Sequence, residues 1–164
     1  MVSVRTLNRH YISVPDKGGI VSNLPLNLNI GSKIEFSLKS SLDITKDTKD
    51  RKWVQKFRLY LLSKKPVRTL KSVEDNSPEN MEDDGYIKFV ICPKSVQNPN
   101  YSKSKENKIE TNQRSIWEAK HVYHTPLKWN KITINVINKN LIKVFVNDEE
   151  ALIYKGDFPQ KAYL

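Results

Sequence analysis

Cys92 is the only cysteine in the chain, and it closes an apolar run, "GYIKFVICPKSV", just before Pro93 and Lys94. A thiol in such a place can be a nucleophile, a metal ligand or a packing group. Nucleophilic use requires a nearby base that draws off the proton, and an apolar strand end beside a proline supplies no such activation. The histidines are His10, His121 and His124. On an extended strand His121 and His124 face opposite sides, and no cysteine or carboxylate cluster joins them at metal-ligand spacing. The five glycines sit at turns, and none forms a phosphate-cradling loop. The expectation is a protein without catalytic residues, metal or cofactor.

The elements that hold these residues are legible from length and patterning. A chain of 164 residues fits a single domain, 1–164, that can bury a core without disulfides or metal staples. One cysteine excludes an internal disulfide, and no segment reads as a signal peptide or a membrane span, so a cytoplasmic or nuclear protein is expected. Asn100-Tyr101-Ser102 matches a glycosylation pattern, which without a secretion route is taken as coincidental. The chain has 28 basic and 18 acidic residues, a net charge of +10, which favours polyanions or acidic partners. The lysines are spread along the chain and belong to no nucleic-acid-binding motif.

Period-two alternation dominates. In "SKIEFSLKSS" Ile34, Phe36 and Leu38 share one face, and Gly31 opens the strand. "KFRLYLLSKK" turns Phe57, Leu59 and Leu61 inward, and "YIKFVIC", apolar on both faces except at Lys88, suits a central strand. "KITINVINKNLIKVFVN" reads as a hairpin turning at Asn138-Lys139-Asn140, and a second turn over Asn147–Glu150 leads into "ALIY", 151–154. Short strands without an amphipathic helix predict an all-β, antiparallel β-sandwich. Three polar stretches interrupt it, near 43–52, 71–84 and 95–108. The second carries Glu74, Asp75, Glu79, Glu82, Asp83 and Asp84, and the third is basic. They read as solvated insertions or as recognition loops.

From about Val14 to Tyr154 the chain resembles the galectin family, jelly-roll sandwiches of the concanavalin-like type whose members bind β-galactosides. "VPDKGGIVSNLPLNLNIGSKIEFSLKSS" looks like the galectin opening. "KFRLYLLSK" falls where galectins carry a Phe-x-Ile-Asn-Leu strand, and "IKFVICPKSV" where they carry a His-Phe-Asn-Pro-Arg strand end. "NKIETNQRSIWEAKHVYHTPLKWNKITINVINKNLIKVFVND" follows the next four strands, including the asparagine, the tryptophan, the proline and a Val-Asn turn. By position the resemblance places Val90, Cys92 and Lys94 at the sugar-bonding histidine, asparagine and arginine, with Pro93 matching. It places Asn112 at the second asparagine and Trp117 at the stacking residue. The glutamate position falls on Lys120 by direct spacing, or on Glu118 if the loop is one residue shorter.

The resemblance therefore implies a carbohydrate site in degenerate form. Valine offers no hydrogen bond, a thiol is a weak substitute for an amide, and lysine lacks the planar fork of arginine. Two lost polar contacts, at roughly 1 kcal/mol each, remove much of a weak sugar affinity. The expected function is a non-catalytic protein-interaction module within an intracellular complex. Its partner would dock at an open sheet edge or on the charged loops, with no membrane involved. A lectin of altered specificity, supported by Asn112 and Trp117, and a basic nucleic-acid-associated module, supported by charge, are the alternatives. The C-terminal "FPQKAYL" stops short of the last galectin strand, so Lys161–Leu164 form a short final strand, or the sequence is cut there, or an edge is left unpaired.

Overall fold

The computed structural model describes residues 2–5, 11–14, 21–40, 56–65, 85–94 and 106–164. The loops at 43–52 and 71–84, residues 95–105 of the third polar stretch, and His10, Trp53 and Asn100 lie outside the described residues. The described chain is all-β, with antiparallel sheets and no helix.

Twelve strands follow in order: β1 (Val2–Arg5), β2 (Tyr11–Val14), β3 (Leu26–Asn27), β4 (Lys33–Ser40), β5 (Phe57–Leu62), β6 (Tyr86–Ile91), β7 (Lys108–Thr111), β8 (Ser115–Ala119), β9 (Asn130–Asn138), β10 (Leu141–Val146), β11 (Glu149–Gly156) and β12 (Lys161–Ala162). Seven of them form one sheet in the order β2-β1-β4-β9-β10-β11-β8. A second sheet has the order β5-β6-β7, and β12 pairs with β3. Tyr163 exchanges backbone hydrogen bonds with Leu62, so the C-terminal strand fills the space between β3 and β5. Lys161–Ala162 thus form the short strand that was one of the expectations for this segment.

The inward faces were well marked in the sequence. Phe57, Leu59 and Leu61 of β5 and Ile87, Phe89 and Ile91 of β6 are buried. They join Ile132, Ile134 and Val136 of β9, Ile142, Val144 and Val146 of β10, and Leu152 and Tyr154 of β11 in one core. Both sheets therefore bury one face against a shared set of apolar side chains, while alternate residues stay outside. Strand β6 is central in its sheet, as expected from its two apolar faces.

The turns explain where the strands stop. Gly31 has φ of +85°, a left-handed conformation that costs glycine nothing, just before β4. The β10–β11 turn is tighter than expected: Asn147 (φ 51°) and Asp148 (φ 69°) are both left-handed, so two residues suffice and β11 begins at Glu149. Asn147 Oδ1 also accepts the Lys131 amide, fixing the turn to β9. The third polar stretch ends one residue early, because Lys108 already pairs with Val90.

Candidate functional site

Val90, Cys92 and Lys94 come from one strand end and, by alternation, one side of it. Inward residues of β6 pair with inward residues of β5 (Phe57 with Ile91, Leu59 with Phe89), so Val90 belongs to the outer face of this sheet, between Arg58 and Lys108. It is nonetheless 2% exposed, and Cys92 is fully buried. Arg58 and Lys108 are the direct cross-strand neighbours of Val90 on that face. Only Lys94 is exposed.

Cys92 is held as a structural group. Its thiol donates to the Glu106 carbonyl at 3.2 Å, and its amide donates to Asn107 Oδ1 at 2.8 Å. Burial pushes the thiol above its ordinary value, with Lys56, Lys108 and Arg58 opposing that shift. A protonated, buried thiol is a poor nucleophile. Asn107 is itself buried, and its amide donates to the carbonyls of Lys120 (3.2 Å) and Val122 (2.6 Å). One side chain thus ties the end of β6 to the segment after β8. Beside it, the buried His124 stacks on Phe57 at 3.9 Å and runs parallel to Cys92–Lys94, its amide donating to the Cys92 carbonyl. His121 is exposed and contacts the Tyr123 hydroxyl, so the two histidines do not converge.

The other expected site residues lie elsewhere. Asn112 follows β7 and accepts the Tyr86 amide at the opposite end of β6, about 20 Å of strand from Cys92. Trp117 and Glu118 lie on β8, in the seven-stranded sheet, where they pair with Tyr154 and Ile153 of β11. Glu118 bonds Lys155 at 3.1 Å, and Lys120 is ion-paired with Glu150. The structure therefore brings Val90, Cys92 and Lys94 to one strand end, with the Lys120 backbone tied to it through Asn107, and places Asn112 at the other end of β6 and Trp117 and Glu118 on the other sheet.

Strand β8 is the outermost strand of its sheet among the described residues, and two large apolar side chains are exposed on it: Ile116 at 69% and Trp117 at 44%. Lys120 N donates to Ala151 O, and on the other side of β11, Gly156 N donates to Asn140 O. The antiparallel ladder alternates from these points. Ile116 and Glu118 bond to β11, whereas the amides and carbonyls of Ser115, Trp117 and Ala119 face away from it. The adjacent apolar pair in "QRSIWEAKH" was the available sequence signal for this edge.

No protein-family model, curated protein or solved structure gave a significant match to this chain.

Proposed function

We propose that this chain is a non-catalytic protein-interaction module, a galectin-like sandwich in which the β-galactoside site is degenerate. Its partner contributes an extended segment that pairs along β8. The observation that carries this reading is the edge itself. Ile116 and Trp117 present apolar area on its two faces, and Ser115, Trp117 and Ala119 present backbone donors and acceptors. Strand addition takes its affinity from such backbone groups and its selectivity from alternate side chains. Against a working galactoside site stand the burial of Val90 and Cys92 and the place of Trp117 on a strand of the other sheet.

The test places a photo-crosslinking residue at Glu118 and exposes the protein to its native lysate. A discrete adduct should form, persist after nuclease, and vanish in Trp117→Lys, while Leu24→Lys at another exposed apolar position leaves it intact. Retention of the adduct in Trp117→Lys would overturn the edge assignment. Saturable lactose binding at sub-millimolar concentration would overturn the degenerate-site reading.

A further inference from the structure

Among the described residues, the outward face of β5–β6–β7 carries more cations than carboxylates, and one of its cations, Arg58, has no carboxylate partner. On the seven-stranded sheet Lys33 pairs with Glu35 at 2.9 Å, Lys131 with Asp148 at 2.5 Å and Lys155 with Glu118 at 3.1 Å, while Lys120 and Lys143 share Glu150. On the smaller sheet Lys88 (2.5 Å) and Lys108 must share Glu110. Arg58 is exposed and enters no ion pair among the described residues. Lys94 is exposed at the same strand end, and Glu106 is the other nearby carboxylate. The two lysines hold the Glu110 carboxyl below its usual value against the opposing effect of burial, so this acid is already committed to them.

We infer that this face binds an acidic polypeptide segment, across the Arg58–Val90–Lys108 row. Arg58 and Lys108 are separated by two strand spacings, roughly 10 Å, with the apolar Val90 between them. An extended acidic segment presents carboxylates on one side at about 7 Å intervals, a spacing that flexible arginine and lysine heads follow. Nucleic acid fits less well. The one ring at the middle of the face, Tyr60, has the Lys88 ammonium 5.7 Å from its centroid, and the covered ring offers no stacking platform for a base. This docking face is separate from the β8 edge, and either can fail without the other.

The test titrates the full chain against a fluorescein-labelled dodecapeptide of alternating glutamate and serine, read by anisotropy. Binding should appear at low ionic strength and weaken at least ~tenfold between about 20 and 300 mM salt. Arg58→Glu with Lys108→Glu should cut affinity by ~tenfold or more, and the milder Arg58→Gln with Lys108→Gln by ~threefold or more. Lys139→Glu with Lys161→Glu makes the same change in net charge at two exposed sites elsewhere and should shift affinity less than ~twofold. Equal losses in both charge-reversal pairs, or no binding at low salt, would overturn the assignment. So would tighter binding of a single-stranded oligonucleotide that depends on Arg58 and Lys108.

Discussion

Replacing Asn107 by alanine should cost far more than a loop asparagine ordinarily does. The side chain accepts the Cys92 amide at 2.8 Å and donates to the Lys120 and Val122 carbonyls at 3.2 and 2.6 Å. Asn107 is 2% exposed and Cys92 is fully buried, so water cannot replace the lost partner of that amide. At about 1 kcal/mol net for each of three bonds, the loss should be about 3 kcal/mol, within a range of about 2–4. For a chain of this size that is a fall in Tm of roughly 6–12 °C. With a urea slope near ~2 kcal/mol/M, the midpoint should move down by ~1.5 M. Asn107→Asp gives a second, differently shaped result. Its carboxylate still accepts the Cys92 amide but faces two carbonyls, which favours the protonated form and raises its folded pKa. The stability of that variant relative to wild type should therefore improve as pH falls and worsen as pH rises through the raised value. Chemical denaturation across pH, followed by tryptophan fluorescence, reads both. A loss below ~0.5 kcal/mol for Asn107→Ala would refute the claim that this side chain fastens the strand end.

The remaining predictions concern the seams of the two sheets. A Cβ on Gly156 would meet Ser115 Cβ at 2.5 Å and the Arg114 carbonyl at 2.6 Å, backbone that cannot swing aside. Gly156→Ala should therefore destabilise by about 1–3 kcal/mol and shift the amide resonances of Arg114–Trp117, whereas wild-type-like spectra would show that β8 yields freely. Lys120 and Lys143 hydrogen-bond Glu150 and lower its carboxyl pKa, so the stability it supplies is present above about pH 4.5 and lost as pH falls through the depressed folded value. Glu150→Gln should cost about 1 kcal/mol at neutral pH, and the difference from wild type should shrink in acid.

The strands were largely legible because burial on one face writes itself as alternation. Phe57, Leu59 and Leu61, the 131–147 hairpin and the central place of β6 followed directly from it. Pairing between distant strands was not legible in the same way. Nothing local in "SIWEA" says that it pairs with β11 instead of continuing the sheet of β7, since that choice depends on a core assembled from both sheets. Turn length was not legible at Asn147–Glu150, where two left-handed residues do the work of four. At the site, sequence position put seven residues in one constellation, but geometry kept Val90, Cys92 and Lys94 at one strand end, with only the Lys120 backbone joined to it through Asn107. The burial of Val90 on an outward face was not legible either, since its cross-strand neighbours, Arg58 and Lys108, lie 32 and 18 residues away.

Residue-resolved amide exchange on β8, with the protein alone and with its captured partner, tests the proposed role most directly. In the free protein Ile116 and Glu118 should exchange slowly, held by β11, while Trp117 and Ala119 exchange quickly. Partner binding should slow Trp117 and Ala119 and leave Ile116 and Glu118 as they were. Slow exchange at Trp117 and Ala119 in the free protein, or protection by the partner that leaves those two amides unchanged, would contradict strand addition at this edge.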